Sequence, residues 1–422
     1  MILPIILFVL TYILMIALPK YRYFVALGSA VLTVILGFLP LGDVFSAIDW
    51  NILMMLSGTM ITVSFFIESK MPNRIADVIM KRCPNIMWVT ITMSLFAGIV
   101  SAFIDNVATV LMIAPIALAV CKKLGRSPVT MIIAIAVSSN LQGAATLVGD
   151  TTSIMLGSAA NMNFTDFFFM NGRFGIFWSV ELGALATVPI LMILFRKEKD
   201  KIEITDTTTV DGYFPTVAMV MTVLLLILAS FIPSKPALTN GIICISLAVI
   251  SIIASLIKNK KADSVKNAFS ELDWQTLLLL AGLFVVIAGI ENRGVIDEIG
   301  RIMTQLGGGN VFVLYTIIVW GSVVISAFVD NIPYVATMLP VITSIAASLG
   351  RDPYVLYFGL LVGATLGGNL TPIGASANIA GIGILRKSGY EVKNKDFFRI
   401  GIPFTLSAVL VGYIYCWLVW GK

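Results

Sequence analysis

A six-residue motif that contains an acid occurs twice in this chain, each time near the middle of a long apolar stretch. The first copy, SAFIDN, covers residues 101–106, and the second, SAFVDN, covers residues 326–331. A carboxylate is costly to place in lipid or in an apolar core unless it is paired or neutralised. The recurrence of Asp105 and Asp330 in such surroundings therefore indicates a function, and it limits the fold to one that accommodates both acids.

The composition is that of an integral membrane protein. Apolar residues make up 58% of the 422 residues, charged residues 12%, and the mean hydropathy is +0.98, which lies outside the range of soluble globular proteins. The chain has no His, and its four Cys lack the spacing of a zinc site or a disulfide framework. We therefore expect a lipid bilayer around the protein, no nucleic-acid partner and no cofactor other than a coupling ion.

The first apolar segment, residues 2–18, has the length of a signal-peptide core. It lacks a preceding basic region, because the nearest basic residues, Lys20 and Arg22, follow the segment. We interpret it as an uncleaved membrane span whose N-terminus lies outside the cell.

The apolar segments fall into two groups of six, with a polar stretch at 196–211 between them. We predict a first repeat at 1–195, a cytoplasmic linker at 196–212 and a second repeat at 213–422. The apolar segments are 2–18, 23–40, 52–67, 86–120, 129–160, 174–195, 214–232, 241–257, 275–290, 311–349, 354–385 and 400–420.

Landmarks of the first group return in the second at a nearly constant separation. Asp49-Trp50 returns as Asp273-Trp274, and LGRSP at 124–128 returns as LGRDP at 349–353. Agreement of this kind over such a distance indicates a duplication.

Two of the segments, 86–120 and 311–349, are almost twice as long as one membrane span of about 20 residues. Each is interrupted near its middle by Asp-Asn, where two arms of similar length meet. This pattern is typical of a re-entrant helical hairpin. We predict hairpins at 86–124 and 311–349.

The distribution of Lys and Arg favours hairpins over single crossings, since basic residues favour the cytoplasm. With hairpins, six of the 28 basic residues lie outside, whereas single crossings would divide them 15 against 13. The hairpin topology leaves five spans in each half, about ten in total, with both termini outside. An odd number per half inverts the second repeat, which is typical of secondary transporters. The six outside residues are Arg173, Lys235, Arg293, Arg301, Arg351 and Lys422.

The hairpin tips form the first candidate site. A helix broken inside the membrane presents free N–H groups at one end and free C=O groups at the other, which attract anions and cations respectively. We predict a binding site for substrate or for Na⁺ around Asp105, Asn106, Asp330 and Asn331, with Thr109 beside them. The alternative is that the two acids only cap the second arm of each hairpin.

The second candidate site lies in segments 129–160 and 354–385, which are too rich in Gly and hydroxyl groups for continuous helices. Unwound backbone at that depth lines a cavity or is buried in protein. Close helix packing is the alternative explanation for the glycines. The second half has Ala375 where the first has Asp150, so we expect one extra acid in the first half. The candidate residues are Asn140, Gly143, Thr146, Asp150, Thr151, Gly368, Asn369, Thr371, Ser376 and Asn378.

No Lys, Arg or His occurs at the expected depth of the hairpins, so we expect no basic side chain in the site. An anion would then require helix N-termini and a bound Na⁺, whereas a neutral oxyacid would require only hydroxyl and amide partners. Proton exchange would require a buried carboxylate that changes its protonation state, and the candidates are Asp105, Asp150 and Asp330.

These motifs resemble those of the ion transporter superfamily, in the branch of the arsenite permeases, the NhaD sodium/proton antiporters, the P protein and the CitMHS-like transporters. The resemblance rests on DNVATVL at 105–111, AATLVGD at 144–150, DNIP at 330–333 and GGNLTPIGASAN at 367–378. It covers most of the chain from about residue 49 onward. After Gly-Asp the family usually continues with Pro-Pro-Asn, where this chain has Thr151-Thr152-Ser153.

The resemblance implies an all-α membrane protein with a scaffold and a transport domain of two hairpins and two broken helices. It also implies a homodimer and an elevator-type displacement. We expect a multi-pass secondary active transporter of the cell membrane, not an enzyme, that moves an arsenite-like oxyacid or another small anion with H⁺ or Na⁺. The alternatives are a Na⁺/H⁺ antiporter and, from another class, an ion channel.

Overall fold

A computed structural model describes residues 2–200, 207–259 and 262–421 of the chain. Residues 201–206 of the predicted linker, Lys260 and Lys261 of a predicted cytoplasmic loop, and both terminal residues lie outside the described residues.

Within these ranges the chain forms twenty α-helices and one short β-hairpin. The hairpin pairs Phe169–Met170 (β1) with Arg173–Phe174 (β2), which the all-α prediction did not include. The helices of the first half are α1 (Ile2–Ala17), α2 (Arg22–Ile35), α3 (Val44–Ala47), α4 (Trp50–Glu68), α5 (Met71–Met80), α6 (Ile86–Ser101), α7 (Asn106–Lys123), α8 (Val129–Gly143), α9 (Thr151–Ala159) and α10 (Ile176–Phe195). Those of the second half are α11 (Phe214–Ala229), α12 (Thr239–Asn259), α13 (Ala262–Ser270), α14 (Trp274–Glu291), α15 (Val295–Leu306), α16 (Val311–Ser326), α17 (Asn331–Leu349), α18 (Tyr354–Gly367), α19 (Ser376–Lys387) and α20 (Asn394–Trp420).

The same side chains begin equivalent helices in the two halves. Asp49 and Asp273 cap α4 and α14 by accepting the amide N–H three residues later, each at 3.0 Å. Asn85 and Asn310 cap α6 and α16 in the same manner, by accepting the N–H groups of Trp88 and Val313. Such caps satisfy N–H groups that a helix leaves unpaired at its start. The order of the helices is that expected of a duplication, while the division at residues 195 and 213 stays a prediction.

The two halves interlock through their long helices. The most extensive contacts between the halves join α4 to α12 and α2 to α14. Glycines permit this approach, because a Cβ on Gly58 would lie 2.4 Å from the Cys244 backbone and one on Gly282 would lie 2.7 Å from the Ala26 backbone. Within each half, α6 packs on α8 and α16 packs on α18.

Seven helices in the described residues are long and apolar enough to cross a membrane. Two helix pairs, α1 with α2 and α15 with α16, are bent by 115° and 112° and raise the number to nine if each pair counts as one span. The prediction of an α-helical membrane protein is confirmed. The number of about ten spans and the return of each hairpin to its own face stay predictions.

Candidate functional site

The first tip, residues 102–105 between α6 and α7, places Asp105 at the start of α7. Its Oδ1 atom accepts the N–H groups of Val107 and Ala108, both at 3.0 Å. Capping, the alternative considered above, therefore occupies one oxygen. The Oδ2 atom accepts no hydrogen bond from any residue that the structure describes.

The second tip, residues 327–330 between α16 and α17, is built differently. The Oδ1 atom of Asp330 accepts the Ile332 N–H at 3.0 Å. Position 333, the equivalent of Ala108, is a proline and has no N–H to donate. Oδ2 instead accepts a hydrogen bond from Nη1 of Arg22 at 2.6 Å, in an ion pair.

The expectation that no basic side chain reaches the site is therefore wrong. We assigned Arg22 to a cytoplasmic loop between two apolar segments, and its side of the membrane stays a prediction. Arg22 is the first residue of α2, and the chain bends by 115° between α1 and α2. This bend accompanies the contact between Arg22 and Asp330. Nothing in the local sequence indicated that contact.

Both predicted broken helices are interrupted where the sequence indicated. In the first, residues 144–150 form the unwound loop between α8 and α9. In the second, residues 368–375 connect α18 to α19, and residues 368–370 of this loop form a 3₁₀ turn. The Thr146 hydroxyl donates to the Ala102 carbonyl, and the Thr371 hydroxyl donates to the Ala327 carbonyl. Each unwound loop is therefore joined to the tip of its own half by an equivalent hydrogen bond.

Two further glycines permit these contacts. A Cβ on Gly149 would lie 2.5 Å from the Gly143 carbonyl oxygen and 2.6 Å from that of Ser101. A Cβ on Gly374 would lie 2.6 Å from the equivalent carbonyl oxygen, that of Gly368. Close backbone approach therefore explains these glycines, and it gathers carbonyl oxygens beside each unwound loop.

Four of the predicted asparagines form one buried network that joins the two halves. Asn140 is the central residue, because its Oδ1 accepts from Asn106 and its Nδ2 donates to groups of the second half. Buried amides paired in this way hold the two broken helices in a fixed register. The bonds are Asn106 Nδ2 to Asn140 Oδ1 (3.0 Å), Asn140 Nδ2 to Thr365 O (2.7 Å) and to Asn369 Oδ1 (3.2 Å), Asn369 Nδ2 to Val137 O (2.8 Å) and Asn378 Nδ2 to Asn369 Oδ1 (3.4 Å).

Asp150, the extra acid of the first half, is buried with 4% of its surface exposed. Its Oδ2 accepts from the Thr152 hydroxyl at 2.9 Å. Gly143 places it near the first tip, because a Cβ on Gly143 would lie 3.2 Å from the Asp150 Cβ and 3.6 Å from the Ser101 hydroxyl. In the described part of the chain, no basic side chain forms an ion pair with Asp105 or Asp150. Two acids near each other and without a basic partner favour uptake of a cation or a proton.

Several buried polar atoms around these acids have no hydrogen-bond partner among the described residues. They include the hydroxyls of Ser101 and Thr109, Oε1 of Gln142 and Oδ1 of Asn378. In the second half, Ser326, the equivalent of Ser101, donates to the Ala364 carbonyl at 2.5 Å. Buried atoms left unpaired in this way are available to a ligand. No group of three acids or cysteines that would hold a metal ion occurs in the described ranges.

The remaining predicted residues lie at helix ends in the same region. Thr151 and Ser376 begin α9 and α19, Asn331 begins α17, and Gly143 ends α8. All except Ser376 are buried. The Ser376 hydroxyl lies 3.5 Å from Oδ2 of Asp330. The structure therefore brings the two predicted sites together into one region.

A family model described as "citrate transporter" matches residues 11–363. The chain belongs to this citrate transporter family, CitMHS. This assignment confirms the resemblance to the ion transporter superfamily, and it makes the chain a multi-pass membrane transporter. The function by which the family is described is transport.

Relatives of this family member extend over nearly its whole length. An uncharacterized transporter of Mycobacterium tuberculosis is 32% identical over 426 residues, which cover 97% of this chain and 96% of that protein. The P protein of Sus scrofa is 27% identical and covers 89% of this chain, which spans 54% of the P protein.

Two solved transporters share the fold of this family member. The YdaH transporter of Alcanivorax borkumensis aligns with a TM-score of 0.59 at 14% identity and covers 92% of this chain and 88% of its own. MtrF of Neisseria gonorrhoeae aligns with a TM-score of 0.55 at 14% identity and covers 95% of this chain and 85% of its own. At this identity the likeness concerns the fold alone.

Four residues of this site were not among the candidate site residues chosen from the sequence: Arg22, Ser101, Gln142 and Thr152. Ser101 lies in the duplicated motif, and Gln142 and Thr152 lie in the polar stretch of the first broken helix, so position gave a signal for three of them. Arg22 had no such signal, because its partner is 308 residues away.

Proposed function

We propose that this member of the citrate transporter family is a secondary active transporter that moves a small oxyacid or anion together with H⁺ or Na⁺. The observation that carries the proposal is the pair of acids in the first half, Asp105 and Asp150, without a basic partner among the described residues. Asp150 is buried and Asp105 is partly buried. An uncompensated charge in such surroundings is unfavourable, so a cation or a proton belongs at this position during part of the transport cycle.

The coupling cation would bind at the first half of the site. Oδ2 of Asp105 is unengaged by the described residues, and the unpaired Ser101 and Thr109 hydroxyls are buried in the same region. The carbonyl oxygen of Gly143 lies beside Gly149. Hard cations such as Na⁺ prefer oxygen ligands of this kind, and a carboxylate alone suffices for a proton.

The interlocked helices α2, α4, α12 and α14 are suited to be a scaffold, and the helices around the two tips are suited to be a mobile transport domain. We propose an elevator-type displacement of the second group against the first, in a homodimer with both termini outside. The re-entrant hairpins are tested by cysteine labelling at Lys81, which precedes α6, and at Lys122, which lies in the last turn of α7. Labelling from the same face is expected, and labelling from opposite faces would contradict the hairpin.

The transport proposal is tested with the full chain in proteoliposomes loaded with buffer. Radiolabelled citrate, arsenite and phosphate are offered separately, with an inward Na⁺ gradient, with an inward H⁺ gradient and with neither. Accumulation of one solute above equilibrium that needs one gradient is the expected result. Passive equilibration at equal rates under all three conditions, with single-channel currents, would indicate a channel instead.

Sodium/proton antiport is the second candidate, because the first half of the site would bind Na⁺ or H⁺ without any anion. The same liposomes, loaded with a pH-sensitive dye, distinguish the two proposals. Proton efflux on addition of Na⁺ in the absence of any anionic solute other than chloride supports antiport, whereas no pH change supports coupled transport of the oxyacid.

A further inference from the structure

The second tip is held by two polar side chains of the bent unit formed by α1 and α2. Arg22 pairs with Asp330, as described above. Tyr12 donates its hydroxyl to the Pro333 carbonyl at 2.5 Å and also contacts the Thr337 hydroxyl. The second tip is therefore bound to a neighbouring element by a positive charge and a phenol.

The contact between α11 and the first tip is apolar. Met219 of α11, the counterpart of α1, lies in a small apolar cluster with Ile104 and Ala108 at the first tip. Packing of a tip against its neighbour therefore does not require a basic residue. A function other than packing is needed to explain why Arg22 of α2 contacts the tip of the second half.

The ion pair is only partly shielded from solvent. The Arg22 side chain is 23% exposed, and the Asp330 side chain is 8% exposed. An arginine carries five N–H donors in a planar fork suited to carboxylate and phosphate groups. One of these donors, on Nη1, is hydrogen-bonded to Asp330. The guanidinium has other donors that an incoming oxyanion can use.

Asp330 has other partners if Arg22 turns away from it. Its Oδ1 is held by the Ile332 N–H, and the Ser376 hydroxyl lies 3.5 Å from its Oδ2. The N-terminus of α17 also stabilises a carboxylate at this position. If Arg22 changes partner, these groups therefore still stabilise the Asp330 carboxylate, and Asp330 does not become an unpaired buried charge.

We infer that Arg22 is an anion-binding residue whose guanidinium is occupied by Asp330 until a carboxylate or another oxyanion of the substrate takes its place. This inference rests on the proposed transport function and restricts its substrate to an anion. It divides the site between a cation at the first tip and an anion at the second. An uncharged oxyacid would not require Arg22.

The test measures anion binding to the purified full chain by isothermal titration calorimetry, with citrate, phosphate and sulfate titrated separately. Arg22→Gln is expected to weaken the binding of the anion that wild type binds by about tenfold or more, the effect of losing a charge-assisted hydrogen bond. Asp330→Asn is expected to tighten it, because the internal competitor is lost while Asn still caps α17. The exposed Lys20→Gln variant is the control for general surface charge and should bind as wild type does.

Opposite changes in anion affinity for Arg22→Gln and Asp330→Asn distinguish an exchange of partners from a structural ion pair. If Asp330→Asn weakens binding as much as Arg22→Gln does, or if Arg22→Gln binds like wild type, the inference is wrong. Absence of binding of all three anions to wild type also contradicts it. Thermal unfolding shows whether each variant is folded. If Arg22→Gln does not fold, Arg22→Lys replaces it, because lysine keeps the charge without the planar fork. Arg22→Lys should also weaken anion binding.

A failure of this inference is separable from a failure of the transport proposal. If Arg22→Gln accumulates uncharged arsenous acid at the wild-type rate under an ion gradient, coupled transport stands and the role of Arg22 falls. If wild type accumulates nothing under any gradient, the transport proposal itself fails.

Discussion

The two tips share a sequence motif and differ in what surrounds their acid. Asp105 accepts two backbone amides on one oxygen and leaves the other unengaged by the described residues, in the same half as the buried acid Asp150. Asp330 loses one amide because Pro333 has none, and its second oxygen pairs with Arg22. Duplication thus supplied two equivalent carboxylates, and local substitutions made one available to a cation and neutralised the other.

The largest effect is expected from Asp105→Asn, which should abolish gradient-driven accumulation in proteoliposomes. Asn removes the charge and still accepts the cap hydrogen bonds, so the protein should fold. The control is Asp352→Asn, which removes the charge of an exposed aspartate outside both tips. Equal accumulation by Asp105→Asn and wild type would remove the reason for treating the first tip as a cation site.

Removal of the second acid should have a smaller effect. Asp150→Asn keeps a polar group for the Thr152 hydroxyl but removes one of two charges, and it makes the first half resemble the second, which has Ala375. We expect the concentration of Na⁺ or H⁺ that gives half-maximal uptake to change about tenfold toward weaker binding. An unchanged cation dependence would limit the cation site to the first tip.

The shared parts of the two halves should respond alike. Gly149→Ala and Gly374→Ala each place a methyl group within 2.6 Å of a carbonyl oxygen, so each should lower the free energy of unfolding by about 1–3 kcal/mol. Denaturant unfolding in detergent measures this, with Gly383→Ala as the control, since the structure describes no atom within 4 Å of that added methyl group. A loss in one variant alone would show that the backbone approach differs between the halves.

The smallest effect is expected from Tyr12→Phe. The variant loses hydrogen bonds to the Pro333 carbonyl and to Thr337 and keeps the ring, so the free energy of unfolding should fall by about 1 kcal/mol. Anion binding should change little if Arg22 is the residue that recognises the anion. A loss of binding as large as that of Arg22→Gln would assign recognition to the whole α1 and α2 unit.

The sequence predicted the features that depend on local chemistry. Asp105 and Asp330 interrupt apolar stretches, and the glycines around Gly149 and Gly374 mark unwound loops, so the breaks between helices could be placed within a few residues. The contacts between distant elements could not be placed. Arg22 reaches Asp330 over 308 residues of chain and across a 115° bend, and Asn140 meets Asn369 over 229 residues. Such pairings are determined by the packing of the two halves.

The most direct test of the difference between the tips is the response of thermal unfolding to Na⁺ at two pH values, since a ligand that binds the folded state raises its stability. Wild type and Asp330→Asn should gain stability from Na⁺ or, if the coupling ion is H⁺, from the lower pH. Asp105→Asn should gain none. A gain for Asp105→Asn equal to that of wild type, or its loss in Asp330→Asn alone, would contradict the assignment of the cation to the first tip.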